Sequence, residues 1–76
     1  MVQHGTAVPP WRQLAALLRE QIESGELPSG GRVPSIVQLS QEHGIATVTV
    51  RKALDALKEE GLIETTPGYG TFVRTR

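Results

Sequence analysis

Residues 47–52 carry side chains that are chemically suited to contact nucleic acid. The segment reads Thr-Val-Thr-Val-Arg-Lys. Arg51 has a planar guanidinium that can bind guanine O6 and N7 through two hydrogen bonds, or can bind a phosphate. Thr47 and Thr49 offer hydroxyl groups to phosphates or base edges, and Lys52 offers a point charge to a phosphate. This combination indicates a surface that contacts double-stranded DNA.

Each of these residues also has a structural interpretation. Arg51 and Lys52 are equally suited to a solvated helix face, and either threonine could instead cap the helix that follows. Val48 is the unusual member, because it is apolar and is expected to point away from the core. We interpret it as a contact for a thymine methyl group in the major groove. The alternative is an incidental surface valine.

Two helices joined by a tight turn are predicted to position these side chains. Residues 35–54 fit a helix-turn-helix whose turn is Gly44-Ile45-Ala46. Ser35 is an expected N-cap, and Gln38 three residues later completes a capping box for a helix over about 36–43. The start of this helix, including Ser35, could also hold a phosphate.

The next helix is predicted over residues 47–60 and has two distinct faces. At about 100° per residue, one face is apolar and suited to burial. Its members are Val50, Ala53, Leu54 and Leu57. The opposite face collects Thr47, Val48, Arg51, Lys52 and Asp55.

A preceding helix is expected to brace this motif. Apolar residues recur at 3–4 spacing from Pro10 or Trp11 to Ser24, and Gly25 followed by Pro28 ends the pattern. Residues 1–8 have no periodicity and are predicted to be a flexible arm. Residues 9–76 are predicted to form one domain.

After residue 61 the pattern changes to that of strands. Residues 62–66 and 71–74 are rich in β-branched and apolar types, and the Gly-rich segment 67–70 lies between them. This predicts a β-hairpin, and therefore a mainly α fold with a small hairpin: a three-helix winged helix-turn-helix. In the wing loop, Gly68, Tyr69 and Gly70 are candidate DNA contacts, although glycines are also what a hairpin turn needs.

Two further expectations concern the core and the segment before Ser35. Arg32 and Val33 are expected to form a very short strand, and Arg32 could serve either a phosphate contact or a structural role. The predicted core includes Trp11, Leu14, Leu18, Val50 and Phe72.

Composition narrows the possible functions. Eight Lys and Arg balance eight Asp and Glu, which counts against a binder dominated by net charge, so we expect the two signs to be segregated on the surface. The chain has no cysteine and two separated histidines, so neither a metal site nor a cofactor site is expected. No apolar run is long enough to span a membrane and no secretory signal is visible, which indicates the cytoplasm.

From Pro10 to Val73 the chain resembles the GntR-type bacterial transcription regulators. The resemblance rests on ordered matches along the whole range. They are Leu18-Arg19, Ile22, residues 24–30, Val33-Pro34-Ser35, Leu39, Gly44-Ile45, residues 49–54, Leu57, residues 60–63 and residues 68–73. It implies a sequence-specific DNA-binding repressor or activator that binds a palindromic operator as a homodimer, and of the two we predict a repressor. It also assigns a DNA contact to the positions of Arg51 and Gly68.

The chain departs from the family pattern at two DNA-facing positions and in extent. Ile36 and Val37 stand where the family often has Glu-Arg, and Ala46 and Thr47 stand where it often has Ser-Arg. We expect no effector domain within these 76 residues, so these residues do not indicate an effector ligand.

Two other classes of function compete with this interpretation. A winged helix can instead dock a protein partner through its exposed helix face, and zero net charge with an apolar Val48 would suit that role. An enzyme is not expected, because no nucleophile lies beside a histidine and no phosphate-binding loop is present.

Overall fold

Three helices followed by one β-hairpin make up the described part of the chain. The computed structural model describes residues 7–75. The elements are α1 (Pro10–Ser24), α2 (Ile36–His43), α3 (Thr47–Glu59), β1 (Ile63–Thr66) and β2 (Gly70–Val73). This order confirms the predicted winged helix-turn-helix. Most of the predicted N-terminal arm, residues 1–6, lies outside the described residues.

Local signals set the ends of α2 as the sequence predicts. The Ser35 hydroxyl accepts a hydrogen bond from the Gln38 N–H at 3.1 Å, and the Gln38 side chain accepts one from the Ser35 N–H at 3.3 Å. At the other end Gly44 adopts a left-handed conformation with φ of 66°, which glycine reaches without steric cost. The Ser40 hydroxyl then donates to the Ile45 carbonyl at 2.5 Å and fixes the turn.

The start of α3 differs from one expectation. Ala46 occupies the N-cap position and makes no side-chain cap, while Thr47 is already the first helical residue. The alternative in which Thr47 caps α3 is therefore wrong. Ala46 is the N-cap because its backbone is extended (φ −64°, ψ 149°) while its carbonyl already accepts hydrogen bonds from the N–H groups of Thr49 and Val50.

The core lies where the three helices and the base of the hairpin meet. Leu14, Leu57 and Val50 are completely buried. Other buried members are Ala15, Leu18, Val33, Leu39, Ile45, Ala53, Leu54, Leu62, Ile63 and Val73. The predicted inward stripe of α3 is thus confirmed, as are Leu14 and Leu18 of α1.

Two residues predicted to be core residues, Phe72 and Trp11, are only half-buried. In the hairpin, Ile63 pairs with Val73 and Glu64 pairs with Phe72. Because successive side chains of a strand point to opposite faces, the burial of Val73 turns Phe72 away from the core. Trp11 lies at the first turn of α1 and only flanks the core.

The hairpin is extended by the segment before α2. Arg32 forms an isolated antiparallel bridge with Phe72, which confirms the short strand expected there. The Val33 N–H donates to the Thr71 carbonyl and the Val73 N–H donates to the Gly31 carbonyl, each at 2.8 Å. This pairing ties the wing to the start of α2. Among the described helices, none combines the length and the apolar character that a membrane crossing requires.

Candidate nucleic-acid interface

The outward side of α3 presents Thr47, Val48, Arg51 and Lys52, which we call the reading face. All four are exposed, and Val48 keeps 68 % of its surface accessible. Thr49, also predicted as a contact, is half-buried at the edge of this face. The opposite side of α3 is locked into the core, so the reading face stands on a rigid support.

Lys52 has a neighbour that sequence reasoning missed. Its ammonium nitrogen lies 5.0 Å from the centroid of the Trp11 ring, and the Arg12 guanidinium carbon lies 5.7 Å from the same centroid. Both distances fall within the range of a cation–π interaction. Trp11 therefore holds two positive charges beside the start of α1 and the reading face.

The tip of the wing is exposed and uncharged. Gly68 and Tyr69 lie in the turn between the strands, and the Tyr69 N–H donates to the Thr66 carbonyl at 3.0 Å to close it. The Tyr69 side chain is 72 % exposed. It is thus free to donate a hydrogen bond from its hydroxyl.

A cleft of about 320 Å³ lies between the first residues of β2, Gly70 and Thr71, and the start of α2. We call it the wing cleft. It brings two predicted site residues together, Ser35 and Gly70, although they are far apart in the sequence. Its walls also include Arg32, Ile36, Val37 and Leu54.

The positive charges divide into two groups. Three cations are paired with carboxylates: Arg19 with Glu60, Lys58 with Asp55, and Arg74 with Glu64. Within residues 7–75, four others have no carboxylate within 4.0 Å. They are Arg12, Arg32, Arg51 and Lys52. These four lie on the reading face, beside it on Trp11, or in the wing cleft, so zero net charge conceals an excess of unpaired cations there.

The strongest of the ion pairs joins α1 to the end of α3. Arg19 Nε donates to Glu60 Oε1 at 2.8 Å, and Arg19 Nη2 donates to Glu60 Oε2. These hydrogen bonds from Arg19 hold the pKa of the Glu60 carboxyl below its usual range, and they raise the pKa of Arg19 in turn. Glu60 is therefore engaged with Arg19 and away from the four unpaired cations.

A helix-turn-helix with a β-hairpin wing and an unpaired cationic face defines a winged-helix protein of the nucleic-acid-binding type. Residues 10–73 match the model of the family described as bacterial regulatory proteins, gntR family. The chain belongs to this family, which confirms the resemblance seen in the sequence.

Known relatives agree on the family but are longer. The chain is 44 % identical over 66 residues to the mannosyl-D-glycerate transport/metabolism system repressor MngR of Escherichia coli K12, covering 87 % of this chain and 28 % of MngR. It is 40 % identical over 65 residues to the transcriptional regulator GgaR of the same organism, covering 86 % of this chain and 26 % of GgaR. The chain thus spans about a quarter of the length of these relatives.

Solved structures share the whole fold. YtrA from Sulfolobus acidocaldarius, a GntR-family transcription factor, matches with a TM-score of 0.92 and 30 % identity over 100 % of this chain and 80 % of YtrA. The DNA-binding domain of AraR in complex with operator ORX1 matches with a TM-score of 0.87 and 28 % identity, covering 96 % of this chain and 92 % of that domain.

Sequence reasoning weighted two site features too lightly. The sequence does not decide whether Arg32 contacts a phosphate or has a structural role, and it does not indicate that the Arg32 guanidinium lies against Gly70. The stacking of Lys52 on Trp11 was not foreseen either. A basic residue three positions before a predicted N-cap gives no local signal of its neighbour, because that neighbour lies on a different element.

Proposed function

We propose that this domain is a sequence-specific double-stranded DNA-binding regulator of transcription, acting as a repressor. The helix at 47–60 reads bases in the major groove, and the wing at 67–70 contacts the backbone or the minor groove. Arg51 binds a guanine edge or a phosphate, and Val48 contacts a thymine methyl group.

One observation carries this proposal. The four cations without a carboxylate partner in residues 7–75 lie at the reading face, beside it and in the wing cleft. An unpaired cation is available to neutralise phosphate and release counterions, which supplies most of the affinity of such domains. A paired cation such as Arg19 is not available in this way.

The relatives also support the proposed function. MngR is named a repressor, and the AraR domain that shares this fold is bound to operator DNA. The remaining predicted contacts fit the arrangement. They are Thr47 and Thr49 at the start of α3, Lys52 beside Trp11, Ser35 at the wing cleft, and Gly68, Tyr69 and Gly70 on the wing.

A homodimer on a palindromic operator is the expected assembly. A single module of this type buries only about 600–1,000 Å² on DNA, which supports weak binding. Two copies on adjacent half-sites would double that surface. We place the protein in the cytoplasm with its DNA, in a regulatory and not an enzymatic role, with no cofactor.

Selection of bound sequences from random duplexes tests the function directly. We expect the purified 76-residue chain to enrich one half-site, and to bind it with a sigmoidal dependence on protein concentration. Absence of any enriched sequence would contradict the proposal. A simple hyperbolic isotherm at nanomolar protein would contradict the dimer.

A protein-docking role is the second candidate, favoured by the exposure of Val37, Val48 and Tyr69. The salt dependence of the affinity distinguishes DNA binding from protein docking. With about four phosphates neutralised per copy, log affinity should fall with log salt at a slope of roughly −3.6. A protein partner held by these apolar side chains would show a much flatter dependence.

A further inference from the structure

Arg32 is held in place by backbone pairing on both sides. It bridges to Phe72, while Gly31 and Val33 make hydrogen bonds of 2.8 Å with β2. The Cα of Arg32 is therefore part of the sheet and is as fixed as the wing itself. The direction of its side chain is set by the sheet and not by a mobile loop.

The Arg32 guanidinium lies directly against Gly70. A Cβ atom built on Gly70 would be 3.2 Å from both Nε and Nη2 of Arg32, which is tighter than ordinary van der Waals contact. Gly70 also has a φ of 119°, which other residues rarely adopt. The absence of a side chain at Gly70 thus leaves the space that the guanidinium occupies.

This guanidinium is the only charge on the described walls of the wing cleft, and no carboxylate of residues 7–75 neutralises it. Its neighbours in the cleft are the apolar side chains of Ile36, Val37 and Leu54. Ser35 also lines the cleft, and its oxygen accepts from Gln38, which leaves the hydroxyl proton available to an anion. A fixed cation with a neutral donor beside it suits an oxyanion.

We propose that Arg32 binds a DNA backbone phosphate in the wing cleft, and that the absence of a side chain at Gly70 leaves the space that its guanidinium needs there. This rests on the proposed function and adds a contact outside both the reading face and the wing tip. A guanidinium binds phosphate oxygens through paired hydrogen bonds. The contact therefore positions the domain on the duplex without selecting a base.

The test compares Arg32→Gln with wild type on the enriched duplex and on a scrambled duplex. We expect affinity to fall about tenfold on both duplexes, and the log–log salt slope to become shallower by about 0.9. Arg74→Gln is the matched control, since it removes one positive charge from the end of the same hairpin, where Arg74 lies 3.9 Å from Glu64. Its slope should equal that of wild type.

A second variant tests the location of the phosphate. Val37 lines the same cleft and is 59 % exposed, so Val37→Arg can supply a guanidinium to this cleft from a different position. We expect Arg32→Gln/Val37→Arg to recover the wild-type slope. A double variant that keeps the shallow slope of Arg32→Gln overturns the assignment to this cleft.

The outcomes separate this inference from the proposed function. An Arg32→Gln chain with an unchanged slope, or with a loss confined to particular base pairs, overturns the phosphate contact while wild type still binds its selected sequence. A wild-type chain that enriches no sequence overturns the proposed function itself.

Discussion

The reading face and the wing offer candidate DNA contacts on very different supports. Behind the reading face, α3 buries four side chains, each at most 4 % exposed. The wing buries only Ile63 and Val73, which pair at the open end of the hairpin, while its tip is exposed. The reading face is therefore fixed from behind along its length. The wing is held at its open end and by the pairing of residues 31–33 with β2, and its tip has no buried side chain.

The two supports suit different kinds of DNA contact. Reading a base edge requires donors held within about 0.5 Å of the productive position, which the buried stripe of α3 provides. Phosphates repeat along the duplex and tolerate adjustment, which suits a hairpin with an exposed tip. We therefore propose that α3 recognises bases and that the wing and its cleft contact the backbone.

The largest expected effect tests the two supports. Leu57→Ala should lower the free energy of unfolding by about 2–5 kcal/mol, because it leaves a cavity behind the reading face. Thr65→Val keeps the β-branched shape and removes the hydroxyl that lies 3.3 Å from that of Thr71 on the wing, and should cost about 0.5 kcal/mol or less. Urea unfolding measures both. Similar losses of stability for the two variants would contradict the difference in support between the reading face and the wing.

The next effect concerns specificity. Arg51→Ala should cost about 1–3 kcal/mol of binding to the enriched duplex and should relax the preference at one base pair. Tyr69→Ala, on the wing tip, should weaken binding to all duplexes alike and by less. Affinities on a panel of single-base variants of the selected site distinguish the two patterns. A uniform loss for Arg51→Ala would move that residue into the backbone-contacting group.

Lys52 is expected to contact a phosphate although it lies on the reading face. Lys52→Met should lose about 1–1.5 kcal/mol without a change in sequence preference, with a salt slope shallower by about 0.9. Trp11→Leu keeps the charge and removes the ring that lies 5.0 Å from it. That variant should keep the slope and lose less affinity. A slope unchanged by Lys52→Met would exclude the phosphate contact.

Val48 carries a smaller effect on the same face. Val48→Ser should lose about 0.8 kcal/mol, the value of one buried methyl-sized group, at sites that carry the contacted thymine. Replacing that thymine with uracil, which lacks the methyl group, should remove the difference between the two proteins. Loss that is equal on both duplexes would leave Val48 as an incidental surface valine.

The last prediction concerns the ion pair between α1 and the end of α3. Hydrogen bonds from Arg19 lower the pKa of Glu60, so the pair contributes stability above the unfolded pKa of about 4.3 and loses it as pH falls through the folded value. Both side chains are more than a third exposed, which limits the contribution to about 1 kcal/mol or less. Glu60→Gln should be less stable than wild type at pH 7, and the gap should close towards pH 3. A gap that is constant with pH would exclude the ion pair as its cause.

Local sequence signals were enough to predict the elements. Helical periodicity, the Ser35–Gln38 capping box and Gly44 act within a few residues, so the bounds of α1 and α2 follow from them directly. The change of pattern after residue 61 gave the hairpin. The exposed side of α3 followed from the same periodicity, which is why Val48, Arg51 and Lys52 were placed correctly on the surface.

Errors arose where burial depends on a neighbouring element. Phe72 was expected in the core because it is large and apolar, but the register of the hairpin gave that place to Val73. A cap role was one alternative for Thr47, but Ala46 is the last extended residue and takes the N-cap position, so Thr47 is already helical.

The sequence by itself determined the three helices, the hairpin, the family and the face of α3 that meets solvent. Only the tertiary structure decided which cations remain unpaired, since Arg19 meets Glu60 across 41 residues of sequence. It also decided that the Arg32 guanidinium lies against Gly70 and that Lys52 lies over Trp11. The physical reason is range: caps and periodicity act over one or two turns of chain, whereas a charge is paired or free according to what the fold brings beside it.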